Sequence, residues 1–280
     1  MRVTIWGTRG SLATPGPETT RYGGNTSCVE VRSEDGTILV LDGGSGIRRL
    51  GATIGPDTKR IDILLSHLHM DHILGLGFFE PMFRENVEVH LWGPSSTMLD
   101  LRARLGRYFS PPLFPVRIPE LPCDFILHDV VTTGRFRIGA FDVTAALVCH
   151  PGPTVGYRIV ADGASIAYLP DHEPALGVPN FPAAPRWTSG FDLAHGVDLL
   201  IHDAQYTAEE YPQHVGWGHS AVVHALRFAE LAAARHLVPF HYDPGHTDVF
   251  LDRVFAELGS LRLPFQLTPA VEGSSFDLAV

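Results

Sequence analysis

The sequence predicts an α/β fold in four layers, two β-sheets packed face to face with helices on the outer faces. Three observations predict it. Each half of the 280-residue chain supplies strands first and helices later. Several apolar runs are short, uninterrupted and bounded by turn residues, the pattern of strands covered on both faces. No composition break, low-complexity tract or fixed-period repeat divides the chain, so one domain over 1–280 is expected.

The elements follow in order. "VTIW" (3–6), "CVEVR" (28–32) and "TILVL" (37–41) read as strands, the last two joined by the hairpin signal "SEDG". "GIRRLG" opens a short helix and "IDILLS" (61–66) is a buried strand. A helix is expected from Asp71, interrupted by Gly75, Gly77 and Pro81. "VEVHLW" (87–92) is a strand, and 95–109 reads as an amphipathic helix with a Ser cap. In the second half, 136–150 and 155–171 are strand-rich, the latter a hairpin about Asp162-Gly163. A strand at 197–203, a helix at 220–236, "LVPFH" (237–241), a helix near 248–258 and a strand near 263–268 complete the order. Two Pro-rich aromatic stretches, 108–122 and 173–190, lack periodicity and read as pocket walls.

Composition narrows the function. Net charge is −10, from 21 basic and 31 acidic residues with no Lys/Arg run, which argues against an extensive nucleic-acid surface. Cys28, Cys123 and Cys149 are odd in number and form no CxxC pair, and the N-terminus has no signal-peptide core. A cytoplasmic setting is therefore expected. No apolar run is long enough for a membrane span. A homodimer is the default oligomer.

Histidine is over-represented, with 15 residues, and its placement carries the chemistry. The strand "ILLS" runs into His67, His69, Asp71 and His72. In extended chain, i and i+2 face the same way, so His67 and His69 can share one ion, while Asp71 and His72 turn towards a second. His150, Asp171 and His241 each stand at the downstream end of an apolar strand, where α/β sheets gather ligands. Imidazole with carboxylate suits Zn²⁺ first, with Mn²⁺ or Fe²⁺ also accommodated. Two divalent ions are the cofactors expected.

The HxHxDH run, followed by a lone His, a lone Asp and a final His, resembles the metallo-β-lactamase superfamily over nearly the whole chain. That resemblance implies the αββα sandwich. It also implies His67, His69 and His150 on one metal, Asp71, His72 and His241 on the other, and Asp171 bridging. "GTRGS", "YGGNTSC" (22–28), "LDGGSG" (41–46) and "LLIHDAQY" with "GWGHS" resemble the narrower ribonuclease Z and phosphoribosyl cyclic phosphodiesterase branch. The acid–histidine pair of ribonuclease Z then matches Asp203 and His219, with Asp where Glu is common.

The function expected is hydrolysis of a small anionic phosphodiester, a cyclic nucleotide or nucleotide-like molecule, through a metal-bridging hydroxide. Bound metal brings water to a pKa of about 7, and Asp71, Asp203 and His219 are the catalytic candidates. Asn25, Thr26 and Ser27 are candidate substrate donors, although a Gly-Gly-Asn turn is also a common structural device. Each supporting residue has a plainer reading. His219 and Ser220 can cap the following helix, and Asp42 can hold a turn. Tyr206, Trp217 and Tyr242 can either stack on a base or pack; His172 and His202 have no assignable role. Cys149 is expected in the core. Three other functions compete: a lactonase or thioesterase, a tRNA 3′-processing endonuclease, and a non-enzymatic metal-binding regulatory module. Asp171 follows His150 by only 21 positions, too few for the extended arm of tRNA-binding ribonuclease Z enzymes.

Overall fold

A computed structural model describes residues 1–131, 133–177 and 181–278. Among them are 14 strands. β1 (Arg2–Gly7), β2 (Cys28–Arg32), β3 (Ile38–Leu41), β4 (Arg60–Leu64), β5 (Glu88–Pro94) and β6 (Asp124–Val130) belong to one sheet. β7 (Arg135–Ile138), β8 (Phe141–Leu147), β9 (Val155–Ala161), β10 (Ala164–Leu169), β11 (Leu199–Asp203), β12 (His236–Phe240) and β13 (Gln266–Leu267) form the other. β14 (Ser275–Asp277) crosses back to the free edge of β1, giving the order β14-β1-β2-β3-β4-β5-β6.

Three apolar clusters define the layers. Between the sheets, Val29, Val31 and Leu39 of the first meet Val143, Tyr157 and Ile159 of the second. The outer face of the first sheet is covered by α1 (Ile47–Gly51), α2 (Met70–Ile73) and α3 (Leu101–Leu105) with their connecting loops. The outer face of the second is covered by α4 (Phe191–Ala194) and α5 (Val222–Leu231). On α5, Val222, Ala225, Leu226 and Ala229 are buried at helical spacing. α6 (Asp248–Gly259) packs at the end of the sandwich, sending Leu251 to the inter-sheet core and Leu258 to the outer one. The expected αββα sandwich is the fold observed.

Strand direction positions the site. β3, β4 and β5 run parallel, as do β10, β11 and β12. β8 shares the direction of β10 through the intervening antiparallel β9. Residues just past the ends of β4, β8, β10, β11 and β12 therefore collect at one edge of the sandwich. β3, β10 and β11 are buried along their whole length, which is why they read as unbroken apolar runs.

Several sequence expectations are corrected. The helix expected over 95–109 forms only at Leu101–Leu105; Asp100, not a serine, caps it by accepting from the Ala103 amide, and Gly106 ends it. β6 and β14 were not anticipated, and β13 keeps two residues of the strand expected at 263–268. The stretch 108–122 is no pocket wall in the main: Tyr108, Phe109, Phe114, Ile118 and Leu121 are buried in the outer core. Of 173–190, residues 178–180 lie outside the described residues. Cys149 is half-buried beyond the end of β8, where its amide donates to Ser189 Oγ.

Candidate metal centre

The cluster assembles from both sheets. His67 and His69 leave β4, and Asp71 and His72 enter α2, as the i, i+2 spacing anticipates. His150 follows β8, Asp171 follows β10 and His241 follows β12. His67, His69, His150 and Asp171 offer ligand atoms all within 4.8 Å of one another, and Asp71, His72 and His241 do the same. Asp171 joins the two sets. Its Oδ2 lies 3.6 Å from His67 Nε2 and 3.7 Å from His150 Nε2, while its Oδ1 lies 3.0 Å from His72 Nε2 and 3.3 Å from His241 Nε2. One carboxylate thus faces both triads, the placement a bridging ligand requires.

The imidazoles are oriented from behind. His72 Nδ1 contacts Asp42 Oδ2 at 2.7 Å, His150 Nδ1 donates to Gly218 O at 2.8 Å, and His241 Nδ1 lies 3.1 Å from Gln205 Oε1. His67 Nδ1 lies 3.0 Å from Ser66 Oγ. Such contacts fix each ring and leave Nε2 for the cluster. His69 differs, presenting Nδ1 at 3.2 Å from His150 Nε2. The Asp71 carboxylate accepts from the Ser11 amide at 2.7 Å. His241 has φ +64°, and a Cβ on Gly10 would lie 2.3 Å from its Nδ1. The glycine of "GTRGS" is therefore required by the close approach of that ring. Arg9, fully buried, spans the loops on either side, donating to Gly23 O, Asp243 O and His246 O.

The donors fit divalent cations. His67 Nε2 and Asp171 Oδ1 are buried without a hydrogen-bond partner among the described residues; the close approaches of Oδ1 lack hydrogen-bond direction. Such orphaned buried atoms are costly unless something binds them. Burial pushes His67, His69 and His150 down, keeping their lone pairs free. Burial also opposes ionisation of Asp171, but His241, His72 and His67 hold it well below the usual carboxylate range. His72 is buried, yet Asp171, Asp71 and Asp42 push it up, the response of an imidazole among uncompensated carboxylates.

Beside the cluster stands a second pair. His219 Nδ1 is 2.7 Å from Asp203 Oδ2, and Asp203 also accepts from the amides of Gln205 and Ser220. The His219 ring centroid lies 5.0 Å from those of both His150 and His241. Burial opposes charging of His219, but Asp203 outweighs it and the imidazole is pushed up to about 9. The capping alternative does not hold: α5 starts at Val222 after Ala221 with no side-chain cap, and Ser220 Oγ donates to His172 O. Asp171, His219 and His241 also lie within ligand distance of one another.

The 25–27 segment is corrected. Asn25 Nδ2 donates to Glu272 and its Oδ1 accepts from Ser45 Oγ. Thr26 Oγ1 accepts from the Ser45 amide, and Ser27 is fully buried. The Asn25 and Thr26 side chains are engaged within the turn, and burial keeps Ser27 from a substrate. Tyr242 is likewise core, donating to Pro239 O. His172 and His202 form a buried pair, Nδ1 to Nε2 at 2.9 Å. Sequence reasoning took Asp42 as a turn residue without its contact to His72, and it missed Gln205 on His241 and Glu173. The last is 1 % exposed and accepts from Tyr211 Oη and the amides of Gly216 and Gly218. Only its position two residues after Asp171 signalled it.

A fold with this ligand edge defines a class of metal-dependent hydrolases. The family model described as the beta-lactamase superfamily domain matches residues 39–242, and the chain belongs to that superfamily. An uncharacterized protein of Mycobacterium tuberculosis is 31% identical over 252 residues, 87% of this chain and 81% of the relative. A ribonuclease Z of Natronomonas pharaonis is 26% identical, with 86% of each chain covered. Among solved structures, the metallo-beta-lactamase fold protein YhfI from Bacillus subtilis superposes with TM-score 0.71 at 17% identity over 98% of both chains. A diphosphatase from the PhnP family gives 0.70 at 20% identity over 100% of this chain and 98% of the other. Human short-form tRNase Z gives 0.69 at 22% over the whole of both.

Proposed function

We propose that the chain is a phosphodiesterase acting on a small cyclic nucleotide or nucleotide-like phosphodiester. The observation that carries the reading is the Asp203–His219 pair, set against both ligand triads with Nδ1 of His219 taken by Asp203. A phosphodiester of an unactivated alcohol expels an alkoxide that needs a proton, as an ester or lactone also does, and the relatives named ribonuclease Z favour phosphorus over carbonyl chemistry. His219 supplies that proton as water attacks phosphorus and the P–O bond to the leaving oxygen breaks. Asp203 holds the ring, and Asp71, fixed by the Ser11 amide, orients the attacking side.

His67, His69 and His150 would hold one divalent ion, Asp71, His72 and His241 a second, with Asp171 between them. Such ions, when bound, polarise a phosphoryl oxygen and make water a competent nucleophile near neutral pH. With ions bound, their positive charge would favour the negative charge that develops at phosphorus. Relatives named ribonuclease Z support phosphorus chemistry and also raise RNA cleavage as a second reading. The segment from His150 to Asp171 holds only the β9–β10 hairpin, which favours a small substrate.

The test is a screen of protein reconstituted with Zn²⁺ or Mn²⁺. The substrates are bis(p-nitrophenyl) phosphate, 2′,3′- and 3′,5′-cyclic nucleotides, an acyl lactone and a tRNA precursor. Turnover of cyclic nucleotides is expected; turnover of the lactone alone would overturn the reading. His219→Ala should lower turnover of poor-leaving-group substrates by about 10²–10⁴-fold with metal content intact. Loss of metal from that variant would show His219 to be a ligand.

A further inference from the structure

Trp217 is 60 % exposed, while the backbone on either side of it is held tightly. The buried carboxylate of Glu173 accepts from the amide of Gly216 at 2.8 Å and from that of Gly218 at 2.7 Å. Both glycines have positive φ, +87° and +91°, conformations that favour glycine on either side of the tryptophan. The Gly218 carbonyl receives His150 Nδ1–H, and a Cβ on Gly218 would lie 2.3 Å from that nitrogen. The residue bearing the indole is thus one peptide from the anchor of a proposed ligand and two residues from His219.

Beneath the indole lies an aromatic support. Trp217 meets His214 edge-on, with centroids 4.8 Å apart at 87°. His214 stacks on Tyr206 at 4.2 Å and 16°, and Tyr206 meets His219 edge-on at 6.2 Å. A lone exposed tryptophan on a mobile loop needs no explanation. A large indole left in water on a clamped backbone, linked ring by ring to the proton donor, is a preorganised π surface.

We infer that Trp217 is a stacking platform for the base of a nucleotide-like phosphodiester and so sets preference for nucleoside-bearing substrates. The inference deepens the phosphodiesterase reading and rests on it. Stacking on an aromatic side chain strengthens binding of any base, because every base has a π-face. The platform should therefore select for the presence of a base and not for its identity.

The experiment compares metal-loaded wild type with Trp217→Ala, Trp217→Leu and Trp217→Phe, on 2′,3′-cyclic AMP and on glycerol 1,2-cyclic phosphate, which has no base. In Ala and Leu, KM for the cyclic nucleotide should rise about 10-fold or more with kcat little changed. Phe should recover most of the loss, and all variants should treat the base-free substrate alike. Equal KM for the nucleotide in wild type and Leu, or a parallel loss on both substrates, would overturn the platform. Quenching of tryptophan fluorescence by adenosine 5′-monophosphate, weaker in Trp217→Phe, reads the contact without turnover. Quenching in a protein that hydrolyses no phosphodiester would keep the platform and remove the phosphodiesterase. Turnover of cyclic nucleotides with no such quenching would do the reverse.

Discussion

Asp42 does two jobs with one side chain. Its φ of +60° makes the turn that the surrounding glycines advertise, while its carboxylate gathers His72 Nδ1, Tyr168 Oη, and the amide and hydroxyl of Ser66. Asp42→Asn keeps the shape but loses the charge that orients His72 and strengthens it as a donor. Affinity at the Asp71–His72–His241 site should fall about 10–100-fold, read by metal analysis after dialysis against a graded chelator. The proposed ligands are legible in sequence because four follow one apolar strand in a single run and the other three each follow a further strand. Asp42, Gln205 and Glu173 are not, because their partners lie about 30–45 residues away and no local spacing links them.

The elements that bring these residues together were legible in proportion to their burial. β3, β4, β10 and β11 announce themselves as apolar runs because both faces are covered. β6 is half exposed, with Asp124, His128 and Asp129 among its seven residues, and so carries no such run. β14 exists only because β1 offers it an edge some 270 residues away. α3 failed as a long helix because its flanks pair elsewhere, the Ser95 amide with Val130 O. α6, by contrast, begins at the expected residue 248, and Thr247 Oγ1 caps it by accepting from the Phe250 amide. Thr247→Ala should cost about 1 kcal/mol in urea unfolding without altering metal content. A loss of metal would mean that α6 also braces the His241 loop.

For the molecule as a whole, acid is the expected weakness. His202 lies fully buried against His172 and the Asp203 carbonyl, and burial lowers its pKa to about 4. A histidine depressed in the folded state contributes its full stability above the unfolded pKa of 6.5. As pH falls from there, the unfolded chain takes up the proton first, and the contribution is lost towards pH 4. On the order of 3 kcal/mol is at stake in that window. Melting temperature should decline steeply between pH 6.5 and 4.5, and less steeply in His202→Gln at equal metal loading. An identical slope in the variant would place the acid sensitivity elsewhere, His67 and His172 being the next buried imidazoles held low. No helix among the described residues is long and apolar enough to cross a membrane, and the proposed ligands gather at one edge of the sandwich.

That edge draws four proposed ligands from the sheet ending in β6 and three from the sheet beginning with β7. The divide between the sheets falls between His72 and His150 in the chain, so neither half alone owns a complete triad with its bridge. A protein severed between β6 and β7 becomes two fragments, each bearing an unfinished coordination set and one exposed face of the central core. Their reunion would be driven by the apolar interface and gated by the cation. Fragment complementation would then report free divalent metal, turning a hydrolase scaffold into a sensor whose signal is its own reassembly.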